Sequence, residues 1–521
     1  MTTIEDKSIL VAVSEYGEFG SLLPLAKELE KRHGLHPVFV FAPGYGLVHE
    51  HGRLVDIDGW SWVQLGTTNK SFRTLLDEKT GSGYFPAAQF WKIKNRDSDA
   101  INDVAISMTN RVGFLVLQLA FFASRVLQKL VKSRGESRES GSSRKEILKQ
   151  LKHAKQIFKK VRPHLVLSGQ DYALSVTSFL SLVGEKLGVR TVIVPFSMPP
   201  TTKEIIESFR YQGYNQLRGL NRWLASRLIP HWLNENHESM FSRVHPGAAI
   251  AADHLRLTPV QPWLPLSGRG VVCVPSRWAY EYYSKAGIPT SQLRLTGAPW
   301  SDRLVRSAIT RSARKERLMS NIETLASGRL RRRGLADKLA ILSWAPNQYP
   351  RKSHGCPTYE DLCNQFITAI QELENAGIAR VAVSLHPTLT DAKLLNSLRK
   401  ARIFVLRSSL IEYVDCADVF VSTVSSTNFW ALQCGIPTIN FDGYLYGYTE
   451  FDEAGAITIT APFELFSVCK RLFEDEAYHA EIKARIADRS PYFCETGGGN
   501  LERIMSTMVG LLPAGDYEAF Q

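Results

Sequence analysis

At 521 residues with 44% hydrophobic side chains, the chain is too long for one ordinary core and apolar enough to fill two, which excludes a disordered or fibrous protein. Its 63 Lys and Arg against 51 Asp and Glu leave a net charge of +12, so the favoured partner is anionic: a phosphate, a nucleic acid or an acidic membrane face. The seven cysteines are scattered, and the nearest pair, Cys356 and Cys363, lacks zinc-site spacing, so they read as reduced core thiols with no metal expected.

The first half opens as a βα unit. Ser8 to Ser14 reads as a short buried strand, Glu15 to Gly20 as a glycine-bearing loop, and Ser21 as the cap of a helix carrying Leu22, Leu25, Ala26 and Leu29 on one face. Pro37 to Ala42 is the next strand. That succession opens a parallel sheet whose ligands sit at the carboxyl ends of its strands, so Glu18 is expected to face a cleft. No basic and apolar leader precedes the first strand, and the expected location is the cytoplasm.

Val112 to Ala123 is strongly apolar, but Arg111 and Arg125 bracket it at well under the roughly twenty residues that a span needs. The longer stretch from Asp103 to Lys132 reads as a buried helix, with a helix lying on an anionic membrane surface as the alternative. Lys132 to Lys145, rich in Ser, Gly and charge, reads as a solvated excursion. A helix from Glu146 to Lys160 then leads to the strand Leu165 to Leu167, the turn Gly169 to Tyr172, a helix ending at Leu187 and the strand Thr191 to Val194. Asp171 falls at a strand end. Gly270 to Pro275, a helix around Trp278 to Ala286, Leu293 to Thr296 and the turn Gly297 to Trp300 complete this half, and the basic run at Arg331 to Gly334 marks the linker.

The second half alternates more regularly. Strands at Leu339 to Trp344, Val381 to Leu385, Ile403 to Leu406, Val419 to Ser422 and Thr438 to Phe441 are separated by helices starting near Thr358, Asp391, Leu410 and Thr427. Five short apolar strands between helices make a parallel sheet covered on both faces. Their polar carboxyl ends, Asn347, His386 with Pro387, Arg407, Ser425 with Ser426, and Asp442, therefore gather on one rim.

Pro387 stops its strand and biases His386 toward extended backbone, which suits an imidazole donating to a phosphate; the bland alternative is a histidine satisfying a turn carbonyl. Ser425, Ser426 and Thr427 open a helix that closes at Gly435, and no acidic residue lies between Ser422 and Phe441. Hydroxyls and first-turn N–H groups there would cradle an anion, although serine caps of purely structural purpose are common. Arg351 and Lys352 reach toward a diphosphate or form a solvated loop. A general base is expected from the first half, where Glu18 and Asp171 are the candidates, ahead of Asp442.

The His386-Pro387 turn, the Ser425-Ser426 turn ending in Gly435-Ile436-Pro437, and the Thr296 to Pro299 turn with Asp302 resemble the GT-B glycosyltransferase superfamily. More narrowly they are similar to bacterial surface-polysaccharide enzymes: capsule-type Kdo and sialic acid transferases with an HP motif and serine pair, and CDP-glycerol glycerophosphotransferases. The likeness is best over Gly270 to Tyr444. It implies an α/β, GT-B-like fold of two Rossmann-like domains whose parallel sheets face a cleft, with the nucleotide donor bound by the second domain, the acceptor by the first, and no obligatory metal. The family's HP histidine maps to His386 and its serine pair to Ser425 and Ser426. Two departures narrow it: no acidic D/E-D/E-G motif is found in the first half, as a CMP-sialic acid donor would require, and Ser425-Ser426-Thr427 replaces the Ser-Gly-Gly turn of the epimerases of similar fold.

The sequence thus predicts an acceptor-side domain over 1–330 with a helical insertion near 100–160, a donor domain over 331–480, and a helical tail over 481–521 packing back on the first domain. The expected activity is transfer of a sugar from a CMP-, UDP- or GDP-activated donor to a surface-polysaccharide or lipid-linked glycan, with Glu18, Asp171 and His386 catalytic and His386, Pro387, Ser425, Ser426, Thr427, Asn347 and Arg351 binding the donor. No other cofactor and no nucleic acid is expected, and peripheral contact with an anionic membrane is the alternative to a location free in the cytoplasm. The alternatives are polyol-phosphate transfer from a CDP-polyol and a non-catalytic binder of anionic glycan or nucleic acid.

Overall fold

The computed structural model describes residues 7–14, 16–42, 48–65, 144–197, 219–233, 249, 252–253, 255–257, 261, 264, 266, 268–326, 337–344, 356, 358–386, 389, 391–423, 425–443 and 445–512. Strand β1 (Ser8–Val13) buries five consecutive residues, the mark of a strand covered on both faces. Helix α1 (Tyr16–His33) follows at once. The open loop expected over Glu15 to Gly20 is therefore corrected: the helix starts five residues before Ser21, because the Glu18 carboxylate accepts the Ser14 backbone N–H and closes the first turn from inside.

The chain continues through β2 (His36–Phe41), α2 (Val48–Ile57), β3 (Ser61–Gln64), α3 (Arg144–Val161), β4 (Leu165–Ser168), α4 (Val176–Leu187), β5 (Arg190–Ile193) and α5 (Gly219–Leu228). It then runs through β6 (Val271–Val274), α6 (Arg277–Lys285), β7 (Leu293–Leu295), α7 (Pro299–Ser307) and α8 (Arg311–Ala326). These strands form one sheet of order β3-β2-β1-β4-β5-β6-β7, and β1 pairs in parallel with both β2 and β4. β3 is a strand the sequence did not announce.

The second sheet is built from β8 (Leu339–Trp344), α9 (Tyr359–Asn375), β9 (Arg380–Leu385), α10 (Ala392–Lys400), β10 (Phe404–Val405), β11 (Val419–Ser422), α11 (Thr427–Gln433), β12 (Thr438–Phe441), α12 (Glu450–Glu453) and β13 (Ile457–Ile459). Helices α13 (Glu464–Glu474), α14 (Glu476–Phe493) and α15 (Asn500–Val509) complete the described chain. Strand order is β10-β9-β8-β11-β12-β13, all parallel. Along β8 the side chains alternate between two cores: Ala340, Leu342 and Trp344 pack with α9 residues such as Phe366, whereas Leu339 and Ile341 pack with Leu318 and Ile322 of α8. The fold is thus α/β with two Rossmann-like parallel sheets.

The helix expected from Leu410 is instead a pair of single 3₁₀ turns, Leu410–Glu412 and Val414–Cys416. Asp415 explains the break. Its carboxylate accepts from Ser307 at 2.9 Å and from Arg314 at 2.5 and 2.9 Å, which holds the segment against α7 and α8.

The chain divides into two compact units: Met1–Phe19, Leu29–Thr191 and Gln212–Arg269 form one, and Gly20–Glu28, Val192–Tyr211 and Gly270–Gln521 the other. In the second unit the C-terminal helices dock on α7 and α6: both Asp302 oxygens accept N–H bonds from the start of α15, at Asn500 (3.0 Å) and Leu501 (2.7 Å). Gly297, at φ 77°, makes this possible, since the Asn500 side chain fills the space a Cβ would take. The Gly497-Gly498-Gly499 run sits at the start of α15. The apolar stretch 112–123 lies outside the described residues, and no described helix is long and apolar enough to cross a membrane.

Candidate active site

Each sheet reverses its strand order at one place, between β1 and β4 in the first and between β8 and β11 in the second. In an open parallel sheet the connections on the two sides of such a point leave in opposite directions, and the opening at the carboxyl ends is where ligands are held. Of the residues singled out from sequence, Glu18 and Asp171 lie at the first of these points and Ser425, Ser426 and Thr427 at the second, whereas His386 follows β9, one strand further out.

In the first unit, Glu18 lies just beyond β1 and Asp171 just beyond β4, and both are buried rather than set on an open loop. Ser168, the last residue of β4, links the two strand ends. Its hydroxyl lies 3.5 Å from Glu18 Oε1, 2.9 Å from the Gln170 carbonyl and 2.5 Å from Thr177 Oγ1 of α4. Glu18 is therefore oriented by the Ser14 N–H on one oxygen and the Ser168 hydroxyl on the other. The buried Gln170 carries an amide nitrogen with no hydrogen-bond partner among the described residues. Ser168, Gln170 and Thr177 were not singled out from sequence, yet the signal was present: a polar residue closing the apolar strand Leu165–Ser168 at its carboxyl end.

In the second unit, Ser422 and Thr423 close β11, and Ser425, Ser426 and Thr427 lead into α11 half-buried. The local folding differs in one respect from the expectation of open N–H groups. Thr427 N–H bonds to Ser425 Oγ at 3.3 Å, Asn428 N–H to the Ser425 carbonyl at 3.0 Å and Phe429 N–H to the Ser426 carbonyl at 3.1 Å, so the turn satisfies its own first donors. α11 is only seven residues long, and its macrodipole is correspondingly small. What the turn offers a ligand is hydroxyl groups; that of Ser426 makes no capping bond. The turn is fixed from beneath. Asn428 Nδ2 donates to Asn440 Oδ1 of β12 (3.0 Å), whose own amide donates to Thr458 of β13 (3.2 Å). Gly435 closes the helix at φ 67°, as its sequence position required.

His386 ends β9, with its N–H on the Trp344 carbonyl at 3.0 Å and its carbonyl accepting Leu389 N–H at 2.8 Å. Partial enclosure of the ring pushes the imidazole pKa below its ordinary value, so near neutral pH it is an uncharged donor and acceptor. β8 lies between His386 and the serine turn. Two interstrand steps separate their backbones by about 10 Å. Asp442, beyond β12, is turned inward: its carboxylate accepts the N–H groups of Tyr446 (2.9 Å) and Gly447 (2.6 Å) and shapes the following loop. Asn347, Arg351 and Pro387 lie outside the described residues. No group of three or more His, Cys, Asp or Glu able to hold a metal ion occurs among the described residues.

No family model matches this sequence, and no curated protein does either. Solved structures do follow its path. The UDP-GlcNAc 2-epimerase of Neisseria meningitidis, bound to UDP-GlcNAc, is 11% identical, covers 96% of this chain and 99% of its own, and has a TM-score of 0.49. The calicheamicin glycosyltransferase CalG4 is 13% identical over 98% of both chains at 0.49, and the glycosyltransferase of kitacinnamycin 14% identical over 98% and 100% at 0.47. These likenesses are of backbone path.

Proposed function

We propose that this chain is a nucleotide-dependent transferase, moving a sugar from a nucleotide-activated donor to a surface-polysaccharide or lipid-linked glycan acceptor. One observation carries the reading: at the switch point of one sheet a run of hydroxyl side chains follows β11, with no acidic residue between Ser422 and Phe441, and at that of the other the carboxylates Glu18 and Asp171 lie at two strand ends. The first chemistry suits an anion, the second an acceptor hydroxyl that must lose its proton.

In this reading Ser425, Ser426 and Thr427 hold a donor phosphate by hydroxyl donation. The donor extends along the rim toward His386, whose uncharged imidazole donates to the departing phosphate as the glycosidic bond breaks and negative charge builds on that oxygen. A lone phosphate does not bridge the two turns, so the donor is an extended one. Asp171 accepts the acceptor's proton. Glu18, both of whose oxygens are already engaged by the chain, orients the β1 and β4 ends around it. Pro387, Asn347 and Arg351 are assigned to the donor side by their sequence positions. Transfer needs neither a metal nor a further cofactor.

The test is a melting-temperature screen with UDP, GDP, CDP, CMP and dTDP. A bound nucleotide at a hundred times its dissociation constant adds about 2.7 kcal/mol of stability. The reading expects one of the five to shift the wild type and to leave Ser426→Asp unshifted; no shift with any of them overturns it. Phosphorus carried from the donor into the product would replace sugar transfer by polyol-phosphate transfer. Replacing His386 by Ala should cut transfer strongly with the melting temperature unchanged, and wild-type turnover in that variant removes His386 from the mechanism.

A further inference from the structure

α3 carries a feature that the transferase reading does not use. Its Ile147, Ala154, Ile157 and Phe158 are buried against α4 and the first sheet, while Lys149, Lys152, Gln156 and Lys159 emerge on the opposite side. At 100° per residue these four positions fall within an arc of about 80°, and at 1.5 Å per residue they extend over about 15 Å. The helix therefore presents a straight basic ridge, with Glu146 the one acidic side chain in its eighteen residues.

A second group of cations gathers beside it, at the end of α4. Lys155 acts electrostatically on Lys186, as do Arg256 and Arg269, with Glu185 the opposing charge. Burial first, and then these neighbouring cations, lower the Lys186 pKa; burial, Lys149 and Lys160 likewise lower that of His153. Leu187, beside Lys186, is 61% exposed and sets one apolar side chain among the cations.

We propose that this α3–α4 face is a membrane-docking surface for anionic phospholipid headgroups. Charge complementarity selects an anion, and the form of the face selects a lipid surface over a nucleic acid. The ridge is made of lysines, compact point charges that meet phosphates without directional forks. Its exposed positions hold no aromatic ring to stack on a base. A flat row with a single leucine matches a plane of headgroups with an apolar layer beneath. Because the apolar face of α3 is occupied by the protein's own core, the attachment is electrostatic, reversible and salt-sensitive. It would hold the first unit against the surface that carries a lipid-linked acceptor, but it does not depend on the donor reading.

Sedimentation of the full chain with phosphatidylglycerol–phosphatidylcholine vesicles, against phosphatidylcholine alone, tests this. Binding is expected to the mixed vesicles only and to fall as salt is raised. Each lysine near an anionic surface contributes roughly a fivefold factor in affinity, so the Lys149→Gln, Lys152→Gln, Lys159→Gln triple variant should bind about a hundredfold more weakly at an unchanged melting temperature. The exposed control set Lys393→Gln, Lys400→Gln, Lys483→Gln should bind as the wild type does. The proposal is overturned if the two triple variants lose binding equally, if the α3 variant binds normally, if neither vesicle is bound, or if a single-stranded oligonucleotide is held through these lysines more tightly than the vesicles. None of these outcomes bears on whether a nucleotide shifts the melting temperature.

Discussion

The two sheets reverse strand order in the same way and fill the reversal with opposite chemistry. At β1 and β4 the side chains are the buried Glu18 and Asp171, and Ser168 ties Glu18 to Thr177 of α4. At β8 and β11 they are the buried Ser422 and Thr423 and the half-buried Ser425, Ser426 and Thr427, and Asp442, beyond β12, is bound to its own loop. A shared topology supplies the position of a site, and the residues at the strand ends decide whether it takes a proton or receives an anion.

The strongest way to break this comparison is to neutralise one cluster and read the other. Asp171→Asn keeps size and polarity while removing the base, and should lower kcat by a factor on the order of 10²–10⁴ with nucleotide affinity unchanged. Glu18→Gln, whose amide oxygen can still accept the Ser14 N–H while its NH2 donates to the Ser168 oxygen, should cost activity far less. Steady-state kinetics beside nucleotide titration would show it. Equal losses in the two variants would make Glu18 and Asp171 one catalytic unit, and a loss of nucleotide affinity in Asp171→Asn would merge the two sites.

A half-buried acid lies at the other end of the second sheet. Glu374, in the last turn of α9, accepts Val381 N–H at 3.3 Å near the start of β9, and burial pushes its carboxyl up to about 7. Its unfolded value is about 4.3, so between the two values the native chain holds a proton that the unfolded chain has released. The contribution is fully present below about pH 4.3 and is lost as pH rises through about 7, roughly 4 kcal/mol in all. Glu374→Gln should match the wild type in chemical denaturation at pH 4 and exceed it by up to that amount at pH 8. A variant whose stability falls with pH in parallel with the wild type would show that Glu374 is not the group responsible.

These sites were not equally legible. The strands of the second sheet read directly because each is a short apolar run closed by a polar turn, and β8, β11 and β12 carry the ends their sequences announce. His386 and Ser425 stand out in the sequence because Pro387 stops the strand beside the first and Gly435 closes the helix that follows the second. Partners set by tertiary contact were not. Glu18 looked like a loop residue because neighbouring glycines suggest a turn, whereas the folded chain satisfies Ser14 through its carboxylate and extends the helix backward. The links Ser168 to Thr177 and Asn428 to Asn440 to Thr458 join residues up to eighteen apart across separate elements, and no local spacing marks them.

The smallest effect is the most discriminating. Ser425 both holds the turn, through its bond to Thr427 N–H, and offers a hydroxyl, whereas Ser426 makes no capping bond. If the cluster binds a phosphate, Ser426→Ala removes one charge-assisted hydrogen bond and should weaken nucleotide binding by about tenfold while leaving stability unchanged. If the serines serve the fold alone, Ser426→Ala is silent in both measurements and Ser425→Ala lowers the melting temperature without touching nucleotide affinity. Titration and melting of the two alanine variants side by side separate an anion site from a helix cap. That separation is the one on which the contrast between the two sheets rests.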